Sequence, residues 1–155
     1  MIEFAILLTV LLLLVMGIMD FGFMFTGNEE LASAARNGAR YASVHPTSWT
    51  NAASPASNTI EGMIMNGLGN TKLTNDDSHI TIAWLTPSGV ACGQYSESSN
   101  SFVAQSGQSQ SSCVVAGALI KVTVSYTYTP ITPYLHAMWP NGVTLTSTAT
   151  MAEEQ

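Results

Sequence analysis

The chain has 155 residues, of which 46% are hydrophobic and 9% are charged, and its formal net charge is −6. Soluble domains carry about 25% charged residues, so a uniformly soluble enzyme is not expected, and so apolar a chain is not disordered. Four Lys+Arg against ten Asp+Glu form no basic patch for phosphates, which argues against a nucleic-acid-binding protein.

The apolar residues are concentrated at the N-terminus. Residues 4–19 carry no charge, and after Asp20 the apolar run resumes as far as Phe25. This is about the length that crosses a hydrocarbon layer of roughly 30 Å. A cleaved secretory signal is disfavoured, because Glu3 rather than a basic residue precedes the run and no small-residue cleavage site follows it. An ordinary membrane anchor remains an alternative.

The two acids at the ends of this run are candidate functional residues. A carboxylate near lipid is costly, so Glu3 and Asp20 are expected to have specific partners. The helix dipole favours Glu3 at a helix N-terminus, where it could also pair with the α-amino group of a neighbouring chain.

Residues 28–44 continue the helix with good helix formers until Pro46 ends it at His45. The spacing predicts one helix of roughly 65 Å, apolar in its first half and amphipathic in its second. One face of the second half should pack on a core: Leu31, Ala35, Ala39 and Ala42. Three glycines are candidate hinges or close-packing points, and the sequence leaves both open: Gly17, Gly22 and Gly27.

Residues 2–5 (IEFA), 17–22 (GIMDFG) and 34–42 (AARNGARYA) form a pattern in this region. The pattern resembles the TadE-like pilins of tight-adherence systems, within the type IV pilin superfamily. The acidic end at residues 151–154 (MAEE) is also similar, whereas residues 45–115 carry no recognisable motif.

The resemblance implies a homo-oligomeric filament at the cell surface whose core is a bundle of N-terminal helices. It also implies storage in the inner membrane, processing by a prepilin peptidase and extraction by a pilus assembly machinery. The family's glutamate is the fifth residue of the mature chain and here it is the third, so we expect either two missing residues or different processing. No leader is recognisable, which favours a mature or trimmed form.

Five residues are predicted to act in assembly. Glu3 would be neutralised by a neighbour's N-terminus, and Phe4 begins the surface that neighbouring helices would bury. Asp20 would pair with Arg36 or Arg40 of a neighbouring subunit, since staggered helices bring such positions together.

Residues 1–45 are thus predicted to be the filament helix and residues 46–155 a surface-exposed globular part, giving an α+β fold. A short helix is expected near residues 58–68, and strands at 79–84, 118–129 and 143–151, the last after an Asn141-Gly142 turn. The strands should form a small antiparallel sheet on the amphipathic half of the helix. Residues 96–112, dominated by Ser, Gln, Asn and Gly, are expected to be a solvated loop.

The remaining candidate chemistry is sparse. Cys92 and Cys113 are expected to form a disulfide outside the cytoplasm, with two free thiols as the alternative. The three histidines are scattered, and Asp76-Asp77 is more typical of a solvated turn than of a calcium site. We therefore expect no enzymatic activity, no metal and no cofactor.

The sequence predicts a structural subunit of a Tad-type extracellular filament. One alternative is a low-abundance, membrane-anchored minor pseudopilin that acts as an assembly factor. Another is an anchored adhesin module that binds through the Ser/Gln-rich loop or through an aromatic stripe, for which core or subunit packing is the competing role: Tyr126, Tyr128, Tyr134 and Trp139.

Overall fold

The computed structural model describes residues 2–69, 71 and 73–154, without the side chains of Ile2 and Ala5. A long helix is followed by a sheet whose strands are interspersed with short helices. The helices are α1 (Ile2–Val44), α2 (Ile60–Asn66), α3 (Gln110–Cys113) and α4 (Pro133–Met138). The strands are β1 (Ile80–Leu85), β2 (Ala91–Ser96), β3 (Ser101–Ala104), β4 (Leu119–Tyr128) and β5 (Val143–Ala152).

The five strands form one antiparallel sheet in the order β3-β2-β1-β4-β5. The longest ladder joins β4 to β5 over their full length, from Leu119 opposite Ala152 to Tyr128 opposite Val143. The predicted α+β fold, a long helix on a small antiparallel sheet, is confirmed.

The second half of α1 runs alongside β5 in the same direction. Near the start of this contact, a Cβ on Gly27 would lie 3.8 Å from Leu145 Cδ1, and at its end Glu154 N donates to Ser43 O at 3.0 Å. The predicted helix face is fully buried: Leu31, Ala35, Ala39 and Ala42. These side chains share one core with the inward faces of β1 and β4, so the end of the sheet that carries Tyr128 and Val143 points towards the first half of α1.

Helix α2 packs closely against α1. Its N-cap is Thr59, whose hydroxyl accepts from Gly62 N at 3.1 Å, and the helix lies within the segment near residues 58–68 where the sequence predicts one. A Cβ on Gly38 would lie 2.3 Å from Cγ1 of the buried Ile64, so only a glycine fits at that point of the contact.

The prediction that residues 96–112 are a solvated loop is wrong for part of the segment. Residues 101–104 form β3, which pairs with β2, and residues 110–113 form α3. Most side chains of β3 are exposed and α3 is mainly polar, and Phe102 is the residue of β3 that contacts the core: its ring meets Trp84 edge-on at 5.4 Å. Strand pairing, the Cys92–Cys113 disulfide and aromatic contacts of Tyr95 and Phe102 hold this edge, which no apolar alternation marks in the sequence.

Candidate functional site

The first half of α1 projects from the globular part with its apolar side chains uncovered. Phe4 is 70% exposed, Leu11 57% and Phe25 62%. Among the described side chains of residues 3–19, none is buried on any face of the helix. Soluble domains rarely leave so large a continuous apolar surface open to water, so this surface requires lipid or other helices around it.

Glu3 lies in the first turn of α1, and its side chain is exposed, like that of Phe4 next to it. The position suits a carboxylate because the unpaired N–H groups of the first turn carry partial positive charge. The assembly roles of both residues stay predictions.

Asp20, in contrast, is 4% exposed and is fully engaged within the chain. Its Oδ1 accepts from Tyr128 Oη at 2.8 Å and from Ile131 N at 3.1 Å. Its Oδ2 accepts from Thr132 N at 2.9 Å and from the Thr132 hydroxyl. This Asp20 clasp fastens the segment after β4 onto the middle of the apolar helix.

The local sequence explains why the segment needs this carboxylate. Beyond Pro130 the chain leaves the sheet, so the N–H groups of residues 131 and 132 have no partner in the ladder. Thr132 is the N-cap of α4, with a proline following it; its side chain makes no capping bond, and its hydroxyl donates to Asp20. The carboxylate thereby satisfies backbone groups that would otherwise be buried without a partner.

Tyr128 is held as a donor in this cluster. Burial, and the hydrogen bond to the Asp20 carboxylate, raise the pKa of Tyr128 to about 12. The phenol therefore keeps its proton across the biological pH range.

The clasp bears on the predicted pairing of Asp20 with a neighbour's arginine. Arg36 and Arg40 are exposed one turn apart on α1, and both remain on the surface. Both oxygens of Asp20 already have two neutral donors each within the chain, so the pairing with an arginine of a neighbour stays a prediction. The assembly roles of the two arginines stay predictions.

The three helix glycines that the sequence singles out are not tightly packed within the chain. A Cβ on Gly17 or Gly22 would meet nothing within 4 Å, and one on Gly27 would make ordinary contacts at 3.8 Å. Hinge action, or close packing between copies, stays a prediction for these positions.

An open apolar cleft lies between α1 and α4 beside the Asp20 clasp. Its volume is about 420 Å³, and its walls include Phe21 and Met24 from the helix, and Leu135 and Trp139 from α4 and the residue after it. The aromatic stripe of the sequence is thereby divided: Tyr128 serves the clasp, whereas Tyr134 and Trp139 are exposed around α4.

The other candidates have structural roles. Cys92 and Cys113 are joined in a disulfide, as predicted. Asp76 Oδ1 accepts from Ser78 N at 2.9 Å and from His79 N at 3.0 Å, so this acid shapes a turn. No cluster of three or more His, Cys, Asp or Glu that is arranged for a metal occurs in the part of the chain that the structure describes.

One comparison with known protein families gives a match, and it lies in the helix. Residues 1–40 match the family model described as TadE-like protein. The N-terminal segment is TadE-like. It covers nearly all of α1 and ends before the sheet begins, so the family signal coincides with the helix and not with the globular part. No curated protein and no solved structure matches the chain.

The TadE-like segment associates the chain with the Tad pilus system. By length and composition, α1 is also able to cross a membrane. Together these two findings indicate a membrane-anchored, pilus-associated protein.

Sequence reasoning located the exposed helix and the importance of Asp20 but missed the partners of that acid. Tyr128, Ile131 and Thr132 lie more than 100 residues away in the chain. A Tyr and a Thr beside two prolines are a weak sequence signal for partners of Asp20, because the same residue types also occur where a strand ends in an ordinary loop.

Proposed function

We propose that the chain is a structural subunit of an extracellular Tad-type filament, assembled by packing of its N-terminal helices. The observation that carries the proposal is the division of α1 into two halves. The second half is part of the core of the globular unit, whereas the first half is apolar and uncovered on all sides. One continuous helix that contains both halves can place a globular unit on the outside of a helical bundle.

The membrane supplies the first environment for this apolar half, and neighbouring subunits the second. Burial of apolar surface stabilises either state relative to water, at about 25 cal/mol per Å². Lipid is already apolar, however, so burial alone gives little preference for the filament over the bilayer. The proposal therefore requires an energy-consuming machinery for extraction, and specific contacts between helices that hold the assembled state.

Glu3 is the contact that best distinguishes a filament subunit from a plain anchor. An exposed carboxylate at the first turn has no role in simple spanning, because any polar residue reaches the interface there. Between staggered copies it can pair with the α-amino group of the neighbouring chain, which sets the axial register.

The test compares Glu3→Ala with Glu29→Ala in cells that produce the filament. Glu29 is an exposed acid on the same helix, so its variant controls for loss of one negative charge. We expect Glu3→Ala to accumulate in the membrane fraction and to yield few filaments after shearing, while Glu29→Ala assembles normally. Normal filament yield from Glu3→Ala would overturn the assembly role of this residue.

The ratio of this chain to the other filament proteins tests the alternative. A structural subunit must be the principal component of sheared filaments by quantitative mass spectrometry. If the chain is present there only in trace amounts, the low-abundance assembly factor replaces the structural subunit as the function.

A further inference from the structure

The segment from residue 131 to residue 139, which contains α4, presents a compact apolar and aromatic surface. Ile131 is 73% exposed, Tyr134 66%, Met138 55% and Trp139 46%. We call these four residues the α4 patch. In the sequence, residues 122–152 contain no Asp, Glu, Lys or Arg, so the patch carries no fixed charge on either side.

The position of the patch along α1 is fixed by the Asp20 clasp. Asp20 lies 16 residues after Phe4, which is roughly 24 Å along a helix that rises 1.5 Å per residue. A hydrocarbon layer is about 30 Å thick, so a span that begins at Phe4 has Asp20 just inside its far boundary. The clasp holds the α4 patch at this level, which is the region where Tyr and Trp side chains accumulate at membrane surfaces.

The chemistry of the clasp allows protein backbone to lie at this depth. A carboxylate and two free N–H groups are each costly beside lipid. Here they satisfy one another, since Asp20 accepts from the N–H groups of Ile131 and Thr132 and is 4% exposed. The segment thus presents to its surroundings apolar side chains rather than unpaired polar groups.

The cleft between α1 and α4 is apolar, like the α4 patch. Trp139 of the patch lines this cleft, which has about 420 Å³ of space and is also lined by apolar side chains such as Phe21 and Leu135. The cleft is also continuous with the uncovered apolar surface of α1, because Gly17 and Phe21 line this cleft and the adjoining open groove of the helix.

From these observations we infer that the α4 patch is a lipid-binding surface. In the unassembled subunit it lies in the outer interface of the bilayer, with an acyl chain in the cleft and the rings of Tyr134 and Trp139 at headgroup level. The inference rests on the membrane-held stage of the proposed function. Two contacts then hold the subunit in the membrane, the spanning helix and the α4 patch at the interface. The second contact fixes the tilt of the globular unit on the membrane.

Tryptophan fluorescence of the full chain in phosphatidylcholine vesicles tests this inference. The probes are lipids brominated either near the headgroup end or near the methyl end of the acyl chain, because bromine quenches indole only at short range. The chain has three tryptophans, and Trp49 and Trp84 form an internal control. Their rings pack together at 5.4 Å, and Trp84 lies opposite Ile120, eight residues along β4 from Tyr128 and so roughly 26 Å from the patch.

We expect shallow brominated lipid to quench part of the emission and deep brominated lipid to quench less. Trp139→Phe should abolish the lipid-dependent part and leave the emission of the two core tryptophans. Met138→Glu should reduce the quenching, because it places a charge in the interface beside Trp139. Slow hydrogen exchange at Val122 and Val124 in each variant shows that the sheet remains folded.

Equal emission of the wild-type chain in brominated and unbrominated vesicles would overturn the inference. So would quenching that persists unchanged in Trp139→Phe. If Trp139 is unquenched in vesicles but becomes shielded in filaments, the patch is a contact between subunits and not a lipid site. The vesicle experiment uses unassembled subunits, so a failure of filament assembly, as in Glu3→Ala, does not alter the quenching. The lipid-binding inference and the proposed filament function therefore fail separately.

Discussion

At the scale of single residues, Asp20 shows how a charged group is accommodated within an apolar helix. The carboxylate receives two hydrogen bonds at each oxygen, from the last residue of β4 and from the segment after it, and it is almost fully buried. Hydrogen bonds to a charged acceptor contribute about 1.5–3 kcal/mol each, so the cluster is able to offset the cost of removing the charge from water.

Asp20→Asn tests this role. The amide keeps the shape of the side chain but directs an NH₂ group at donors, so we expect the segment containing α4 to loosen by about 1–3 kcal/mol. Hydrogen exchange at the amides of Ile131 and Thr132 should become faster, while Val122 and Val124 in the core remain protected. Glu29→Gln, the same change at an exposed site on the same helix, should leave all four amides as they are. Unchanged exchange in Asp20→Asn would contradict the clasp.

Glu61 is a second buried acid, with a different consequence. Its side chain is 1% exposed, Oε2 accepts from Thr50 N at 3.0 Å, and Oε1 has no hydrogen-bond partner among the described residues. Burial raises the pKa of Glu61 from 4.5 to about 7, despite the hydrogen bond from Thr50. Between these two pH values the folded state holds a proton that the unfolded state has lost, so stability falls as the pH rises through this window.

Glu61→Gln should remove this pH dependence, because the amide keeps an acceptor for Thr50 and does not titrate. We expect the variant to gain roughly 2–3 kcal/mol relative to the wild type between pH 4.5 and pH 8, measured by urea unfolding in detergent micelles. Burial also raises the pKa of Glu153, but that residue is present in both proteins and cancels in the difference. A constant difference between the two proteins across the range would show that Glu61 is ionised in the folded state.

At the scale of elements, α1 combines a tightly packed half with an open one, and its glycines differ accordingly. At Gly38 a Cβ would lie within 2.3 Å of Ile64, so Gly38→Ala must displace α2. We expect a loss of about 1–3 kcal/mol in thermal unfolding of the full chain in micelles. Gly22→Ala is the matched control: its Cβ meets nothing within 4 Å, and better helix propensity should add up to about 1 kcal/mol. Equal stability of the two variants would contradict the close contact between α1 and α2.

The disulfide is the covalent support of the β2–β3 edge, where side-chain packing is thin. Cys92 and Cys113 are 21 residues apart in sequence, and closing a loop of this size contributes about 3 kcal/mol on the chain-entropy model. The double variant Cys92→Ser, Cys113→Ser should lose about this much stability. The loss should appear first as faster hydrogen exchange in β2 and β3, with the helix face at Leu31 and Ala35 still protected. Equal protection of β2 and β3 in both proteins would contradict the supporting role.

The sequence predicts an element when the interaction that stabilises it leaves a periodic pattern in the sequence. The long helix, its buried face and the strands β4 and β5 follow from periodicity, because one side of each packs on the core. The edge strands β2 (ACGQYS) and β3 (SFVA) do not alternate polar and apolar residues and depend on pairing and on Phe102, so no periodic signal marks them. The hydrogen-bond partners of Asp20 leave no periodic pattern either, because a contact between residues more than 100 positions apart is set by tertiary structure.

At the scale of the whole molecule, one continuous helix has a buried half and an uncovered half. The globular unit packs on residues beyond Gly27, the clasp at Asp20 is its contact nearest the N-terminus, and residues 4–19 extend beyond the clasp with their described side chains unburied. The family match follows the same division, since it covers the helix and none of the sheet. In the proposed filament, assembly depends on the helix, and the sheet and its loops form the outer surface.

The central claim, that this chain builds a filament through its N-terminal helix, is tested most directly on filaments sheared from native cells. The measurement is helical reconstruction by electron microscopy, together with mass spectrometry of the filament proteins. We predict uniform filaments composed chiefly of this chain, with residues 4–25 in the central bundle and Asp20 still bound to Tyr128. Confinement of the chain to the membrane fraction, or its presence in filaments only in trace amounts, would contradict the claim.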